Sequence, residues 1–206
     1  MMSITTGKMK HRPLVLLDIE TTGGSATNSR ITEIGALRVE NGKVVGKYQQ
    51  LVNPEEPIPY FITNLTGIND AMVWEAPTFR GIADDLELFL SDAIFVAHHV
   101  SFDYSFIKME FQRIGYSFTM DRICSAKLSR RLYPEHKSHA LDRLIERLGI
   151  DVTNRHRAYD DAEVIWKFIS REMEQDTLKL MAALDKTMIH TQNPLSKNAD
   201  RGVLLE

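Results

Sequence analysis

The sequence predicts an α/β fold on a mixed, five-stranded sheet, an antiparallel hairpin joined to parallel strands and flanked by helices. Three observations predict it. An apolar run at residues 14–20, LVLLDIE, precedes two β-rich segments, ITEIGALRVE (31–40) and KVVGKYQQLV (43–52), joined by Asn41-Gly42. That dipeptide is a strong hairpin signal because both positions tolerate positive φ. From residue 76 onward, helical stripes alternate with short apolar strands. Finally, 43% hydrophobic content over 206 residues suffices for one sizeable core, whereas two domains would be cramped.

Taken in order, LVLLDIE is a strand that ends in the turn residues Thr21, Thr22, Gly23 and Gly24. The hairpin follows. In residues 76–90 a stripe of Phe79, Ile82, Ala83, Leu86, Phe89 and Leu90 predicts a helix, with Pro77 near its start. AIFVAHH is a short strand. Ser101 is a good N-cap for a helix that buries Phe102, Phe106, Ile107, Phe111 and Ile114 and stops at Gly115. SFTMDRIC reads as the fifth strand. Ser138 is placed to cap a helix carrying Leu141, Leu144, Ile145 and Leu148, which ends at Gly149. The last helix begins near Ala158 and buries Ala162, Ile165, Phe168 and Ile169. Trp74 and Trp166 are expected to pack internally, and Lys127, Arg130 and Arg131 to form a solvated helix face.

The formal net charge is −3, so no global basic footprint marks a protein that coats duplex DNA by phosphate neutralisation. Cys124 is the only cysteine, which excludes an internal disulfide and zinc-finger spacing. No stretch approaches the roughly 18 apolar residues of a membrane span, and the expectation is a cytoplasmic protein without a membrane partner.

The chemistry concentrates in acidic residues. Asp18 and Glu20 are two apart on one strand, so they project from the same face. Like charges held that close repel unless a cation lies between them. Asp103 falls in the first turn of the helix after AIFVAHH, and Asp161 in the first turn of the last helix, five residues after His156. Sites in open α/β sheets form where strand carboxyl ends face such helix starts. Oxygen-only ligands suit Mg²⁺ or Mn²⁺, and a pair of such ions clamps the attacking and leaving oxygens of a phosphodiester.

With these residues, the chain resembles the DEDDh 3′→5′ exonucleases, whose type member is the proofreading epsilon subunit of bacterial DNA polymerase III. The first motif is Asp18-Ile19-Glu20-Thr21-Thr22-Gly23. The second is Ala97-His98-His99-Val100-Ser101-Phe102-Asp103. The third is His156-Arg157-Ala158-Tyr159-Asp160-Asp161-Ala162. "ITEIGALRV" and "NLTGIND" also resemble family segments. The likeness covers roughly residues 13–172 and implies a ribonuclease H-like fold. The domains expected are a flexible leader (1–12), an exonuclease domain (13–175), and a C-terminal helix extension and tail (176–206).

The resemblance implies two ions, Mg²⁺ or Mn²⁺. Asp18 would bridge both, Glu20 and Asp161 would hold the one that activates water, and Asp103 would support the second. His156 would be the general base. The backbone of Thr21, Thr22 and Gly23 would contact the 3′ nucleotide, and Leu65 would wedge against the last base. His99 stands where family members often carry Asn, and is also assigned to substrate. The implied activity is 3′→5′ hydrolysis of single-stranded or frayed DNA ends to nucleoside monophosphates, in proofreading or repair. A replicative polymerase is the implied partner for proofreading; "QDTLKL" (175–180) is only a faint match to a clamp-binding peptide. The rivals are an exoribonuclease of the same fold and a non-catalytic nucleic-acid-binding module. The second rival predicts a replaced ligand, and none of the five positions is replaced. His98 and His139 read as structural histidines, and Cys124 as a small buried residue.

Overall fold

A computed structural model describes residues 12–152 and 156–191. Five strands form one sheet in the order β3-β2-β1-β4-β5. β1 (Leu14–Thr21) lies at its centre, antiparallel to β2 (Ile31–Glu40) and parallel to β4 (Ile94–Ala97). β3 (Lys43–Leu51) completes the hairpin, and β5 (Arg122–Cys124) runs parallel to β4 at the other edge. Asn41 (φ 51°) and Gly42 (φ 74°) are both left-handed, so the strands reverse in the tight turn their sequence calls for.

Alternation along β1 distributes its side chains between two apolar layers. Val15, Leu17 and Ile19 pack with Leu86 of α3 (Phe79–Leu90) and with Phe106, Ile107 and Phe111 of α4 (Val100–Arg113). On the other face Leu16, Val96 and Ile123 pack with three helices. These are α5 (Ser125–Leu132), α6 (Leu141–Leu148) and α7 (Ala158–Thr187), which contribute Leu128, Leu144, Ile165 and Phe168. Asp18 and Glu20 continue the second face toward the carboxyl end of the strand. A small third cluster of Ile58, Ile62, Ile68 and Val73 belongs to α1 (Tyr60–Thr66), α2 (Asp70–Val73) and their flanks. Neither α1 nor α2 is legible as a helix in the sequence, because segments of seven and four residues are too short to show a periodic stripe.

Several boundaries differ from expectation. AIFVAHH leaves the sheet after Ala97, and α4 starts at Val100 with His99, not Ser101, at its cap position. SFTMDRIC contributes only its last three residues to β5. α6 starts at Leu141 and its cap residue is Ala140; the Ser138 hydroxyl sits 3.5 Å from the Ala140 amide, two residues too early to cap. The α3 helix begins at Phe79 because Thr78 bridges to Asn53 in extended conformation. Trp74 is 78% exposed, since it ends the four-residue α2 at the surface. Asp176 breaks α7 with φ −157°, and its carboxylate then accepts from the Lys179 amide as an N-cap for the rest of the helix. Leu180, two residues into the "LKL" of the faint clamp-peptide match, is buried in the core beside Ala183 and Leu184. Among the described residues, no helix is long and apolar enough to cross a membrane. Residues 1–11 and 192–206, with most of the leader and much of the tail expected from the sequence, lie outside the described residues.

Candidate metal centre

The carboxyl ends of β1 and β4 face the starts of α4, α6 and α7, and the acids gather there. A cavity of about 380 Å³ is lined by Asp18, Asp103 and Asp161, with His98, His99, Phe102, Leu141 and Asp142 among its other walls. Side-chain ligand atoms of Glu20, His156 and Asp161 lie within 4.8 Å of one another. All five residues read from the motifs therefore fall in two overlapping groups, and Asp161 belongs to both. The irregular register between Glu20 and Thr21 sits at this end of β1, where a bulge re-aims side chains next to a site.

Asp103 is 3% exposed on the first turn of α4. Burial pushes its carboxyl up to about 7, while hydrogen bonds from its own backbone and from that of Ile19 pull the other way. A nearby cation reverses such a shift, because it restores the favourable field that water supplied. The donor set is carboxylate oxygens plus one imidazole, buried or half-buried, and it suits a hard divalent cation. On these observations the residues fit the implied ions.

The device that sets the third motif in place was not read from the sequence. Glu33, fully buried on β2 and opposite Glu20 in register, grips Arg157 with two parallel hydrogen bonds, Nε at 2.9 Å and Nη2 at 2.6 Å. The same carboxylate accepts from the Ala158 amide at 3.1 Å, at the positive end of α7. One residue earlier, His156 has φ 60°, a conformation that L side chains adopt only where the surroundings hold it. Gly35 allows the close approach, because a Cβ there would run into the backbone of Ala158 and Tyr159. The available signal was a glutamate within the otherwise apolar ITEIGAL: a buried strand carboxylate needs a cationic partner.

The residues expected at the substrate divide. Thr21, expected in the turn, is the last residue of β1, and Thr22 follows it; both are buried, the Thr21 hydroxyl donating to the Gly23 carbonyl and that of Thr22 to Glu56. The Thr22 amide donates to the Arg30 carbonyl, which leaves Gly23 as the half-buried part of this turn. His99 is exposed and lines the acidic cavity. Leu65 is 53% exposed one turn after Phe61 on α1, and does not line that cavity. His98 and His139 are buried in a hydrogen-bond chain. His98 Nε2 donates to the His139 carbonyl at 2.9 Å, so its Nδ1 accepts from the Ser125 hydroxyl. His139 makes the equivalent pair with the His136 carbonyl and the Ser129 hydroxyl. The chain ties α5 and the residues before α6 to the wall of the cavity. Cys124 is buried and donates its thiol to the His98 carbonyl.

Comparison with known proteins places the chain. Residues 15–169 match the exonuclease family RNase_T. A PolC-type DNA polymerase III of Caldanaerobacter subterraneus is 38% identical over 161 residues, 78% of this chain and 12% of the polymerase. That of Halalkalibacterium halodurans is 33% identical over 188 residues, 87% of this chain and 13% of the polymerase. This chain thus spans about an eighth of the length of those relatives. Exonuclease X, solved in complex with a 5′-overhanging duplex DNA, is 27% identical with a TM-score of 0.65, covering 84% of this chain and 99% of that one. The nuclease domain of 3′hExo, a DEDDh family member solved with rAMP, shares the fold at 19% identity and TM-score 0.71, over 82% of this chain and 95% of that one. The carboxylate cavity at the strand ends accordingly sits in a mixed sheet of ribonuclease H-like type, and the chain belongs to the RNase_T exonuclease family, with PolC-type DNA polymerases III among its relatives.

Proposed function

We propose that this domain is a metal-dependent 3′→5′ exonuclease that hydrolyses the terminal phosphodiester of single-stranded or frayed DNA and releases nucleoside monophosphates. One observation carries the reading: Asp161 joins Asp18 and Asp103 around one cavity and Glu20 and His156 in one cluster. Asp18, Glu20, Asp103 and Asp161 would hold two Mg²⁺ or Mn²⁺ ions. Such ions supply charge neutralisation at the scissile phosphate and lower the pKa of an attacking water.

The chain's own groups do the rest. His156 takes the proton of the attacking water on a ring nitrogen, a role suited to an imidazole, which accepts and releases protons readily. Its approach is set by the Glu33–Arg157 clamp one residue away. Gly23 lies at the turn next to Asp18 and Glu20, where a 3′-terminal sugar can come close to backbone. Leu65, on the exposed face of α1, props the terminal base away from its neighbour. DNA is favoured over RNA because the two bacterial relatives described above are DNA polymerases. The same likeness supports work beside a replicative polymerase, in proofreading or repair.

The test is degradation of 5′-labelled and 3′-labelled oligonucleotides, in matched DNA and RNA versions, with Mg²⁺, Mn²⁺ or chelator. The expected result is a descending ladder from the 5′-labelled DNA, faster on frayed ends, that stops in chelator. Faster trimming of the RNA would replace the substrate; release of the 5′ nucleotide first would overturn the direction.

A further inference from the structure

The domain is acidic overall and surrounds its candidate centre with carboxylates, yet one corner is basic. A second cavity of about 380 Å³ is lined by His136, Lys137, Ser138, Arg143, Glu146 and Arg147. Arg147 donates from Nη2 to the Ser138 carbonyl at 2.9 Å, while its Nη1 is buried with no hydrogen-bond partner among the described residues. A buried guanidinium N–H without an acceptor is costly, and an acceptor supplied from outside removes the cost. Glu146 pairs with Arg143 at 2.7 Å, which leaves Lys137 and Arg147 in excess. Arg130 of α5 adds to the field. Burial foremost, and then the charges of Arg130 and Arg147, hold the His139 imidazole below its usual range.

This cavity adjoins the candidate centre. Leu141 and Asp142 line the acidic cavity, and Ser138 and Arg143 line the basic one, so a six-residue segment forms part of both walls. A polyanion whose end enters a cage of carboxylates is repelled there except where cations intervene, and gains its affinity from phosphate contacts further along the strand. We infer that the basic cavity beside α6 holds a backbone phosphate of the same strand whose 3′ end lies at the carboxylates. The inference rests on the nuclease reading for the identity of the strand. Arg147 Nη1 and Lys137 donate to the phosphate oxygens, and the contact positions the strand without reading its sequence.

The experiment measures binding apart from turnover. Fluorescence anisotropy of a labelled single-stranded DNA oligonucleotide, with Ca²⁺ as the divalent ion, is compared between the natural chain and the double variant Lys137→Ala, Arg147→Ala. Lys137 is exposed and Arg147 half-buried, and an unchanged melting temperature is the check that folding survives both changes. The expected result is affinity weakened roughly tenfold or more. The slope of log K against log salt should fall by about 1.4, from about 0.7 per lost charge on a single strand. Hydrolysis of thymidine 5′-p-nitrophenyl phosphate, too small to reach the basic cavity, should be unchanged. Natural affinity and slope in the double variant would overturn the inference, as would loss of the small ester's hydrolysis in parallel with binding. An oligonucleotide that binds through this cavity but is never cut would instead defeat the nuclease reading and leave the phosphate contact standing.

Discussion

Asp121 and Asp103 flank the same parallel strands, at opposite ends, and their surroundings drive their carboxyls apart. Asp121 precedes β5 and meets Arg12 Nη1 at 2.6 Å, the Thr191 amide at 2.8 Å and the Thr191 hydroxyl at 3.1 Å. Burial alone would push its carboxyl up, but the Thr191 and Arg12 hydrogen bonds outweigh it and hold it at about 2. Asp103 follows β4, deeper in the protein, and burial dominates over its backbone hydrogen bonds, so its carboxyl rises to about 7. At one end of the sheet a single acid meets an arginine and a threonine from remote segments; at the other, several acids line one cavity. A single acid held by an arginine and a threonine is structural, whereas several acids gathered around one cavity, one of them with its carboxyl pushed up, suit chemistry with a divalent ion.

The comparison breaks most visibly at the carboxylates. Asp18→Asn should lower oligonucleotide hydrolysis about a thousandfold or more, since several kcal/mol of charge stabilisation correspond to about tenfold per 1.4 kcal/mol. Its melting temperature should hold; near-natural turnover would remove Asp18 from the centre. His156→Ala should cost about 10²–10⁴-fold in turnover. Because the His156 ring lies within ligand distance of Glu20 and Asp161, Mn²⁺ titration of this variant sharpens the assignment. Unchanged affinity keeps His156 as the base, and a large loss makes it a ligand.

A smaller effect is expected one step out. Glu33→Gln, which leaves Arg157 with a neutral partner, should reduce kcat by roughly 10²-fold through a displaced His156. In the His156→Ala background the same change should cost little more. Full additivity in that double-mutant cycle would separate the clamp from the histidine. The smallest effect belongs to the opposite end of the sheet. The folded carboxyl of Asp121 lies below its unfolded value, so its contribution is present above about pH 4 and disappears as pH falls through about 2. Asp121→Asn should remove up to about 2 kcal/mol of stability at neutral pH, measured by denaturant unfolding, and flatten that acid-side slope. Hydrolysis at neutral pH should not change.

How much of this was legible depended on the range of the interaction. The hairpin was readable from Asn41-Gly42 because positive φ is a property of two adjacent residues. The shared face of Asp18 and Glu20 was readable from strand alternation, and the first-turn positions of Asp103 and Asp161 from the apolar stripes behind them. Helix starts at 100 and 141 were missed because the serines nearby offered caps that the chain does not use there. Glu33 passed unnoticed as a strand residue since its partner, Arg157, is 124 positions away. The acid at 121 and the acid at 103 look alike in sequence, each beside a short apolar strand; Arg12 and Thr191 distinguish them, and both come from remote segments.

By itself, then, the sequence determined the local conformations, the alternation that carries two acids on one face, and three short motifs that resemble those of the DEDDh exonucleases, because each depends on neighbours a few residues apart. Only the tertiary structure decided that Asp121 meets Arg12 and Thr191 while Asp18, Asp103 and Asp161 line one cavity, that Glu33 holds the start of α7, and that a basic recess adjoins the acidic one. Charge is settled by what comes within a few ångströms in space, and the folded backbone alone brings those distant residues to that range.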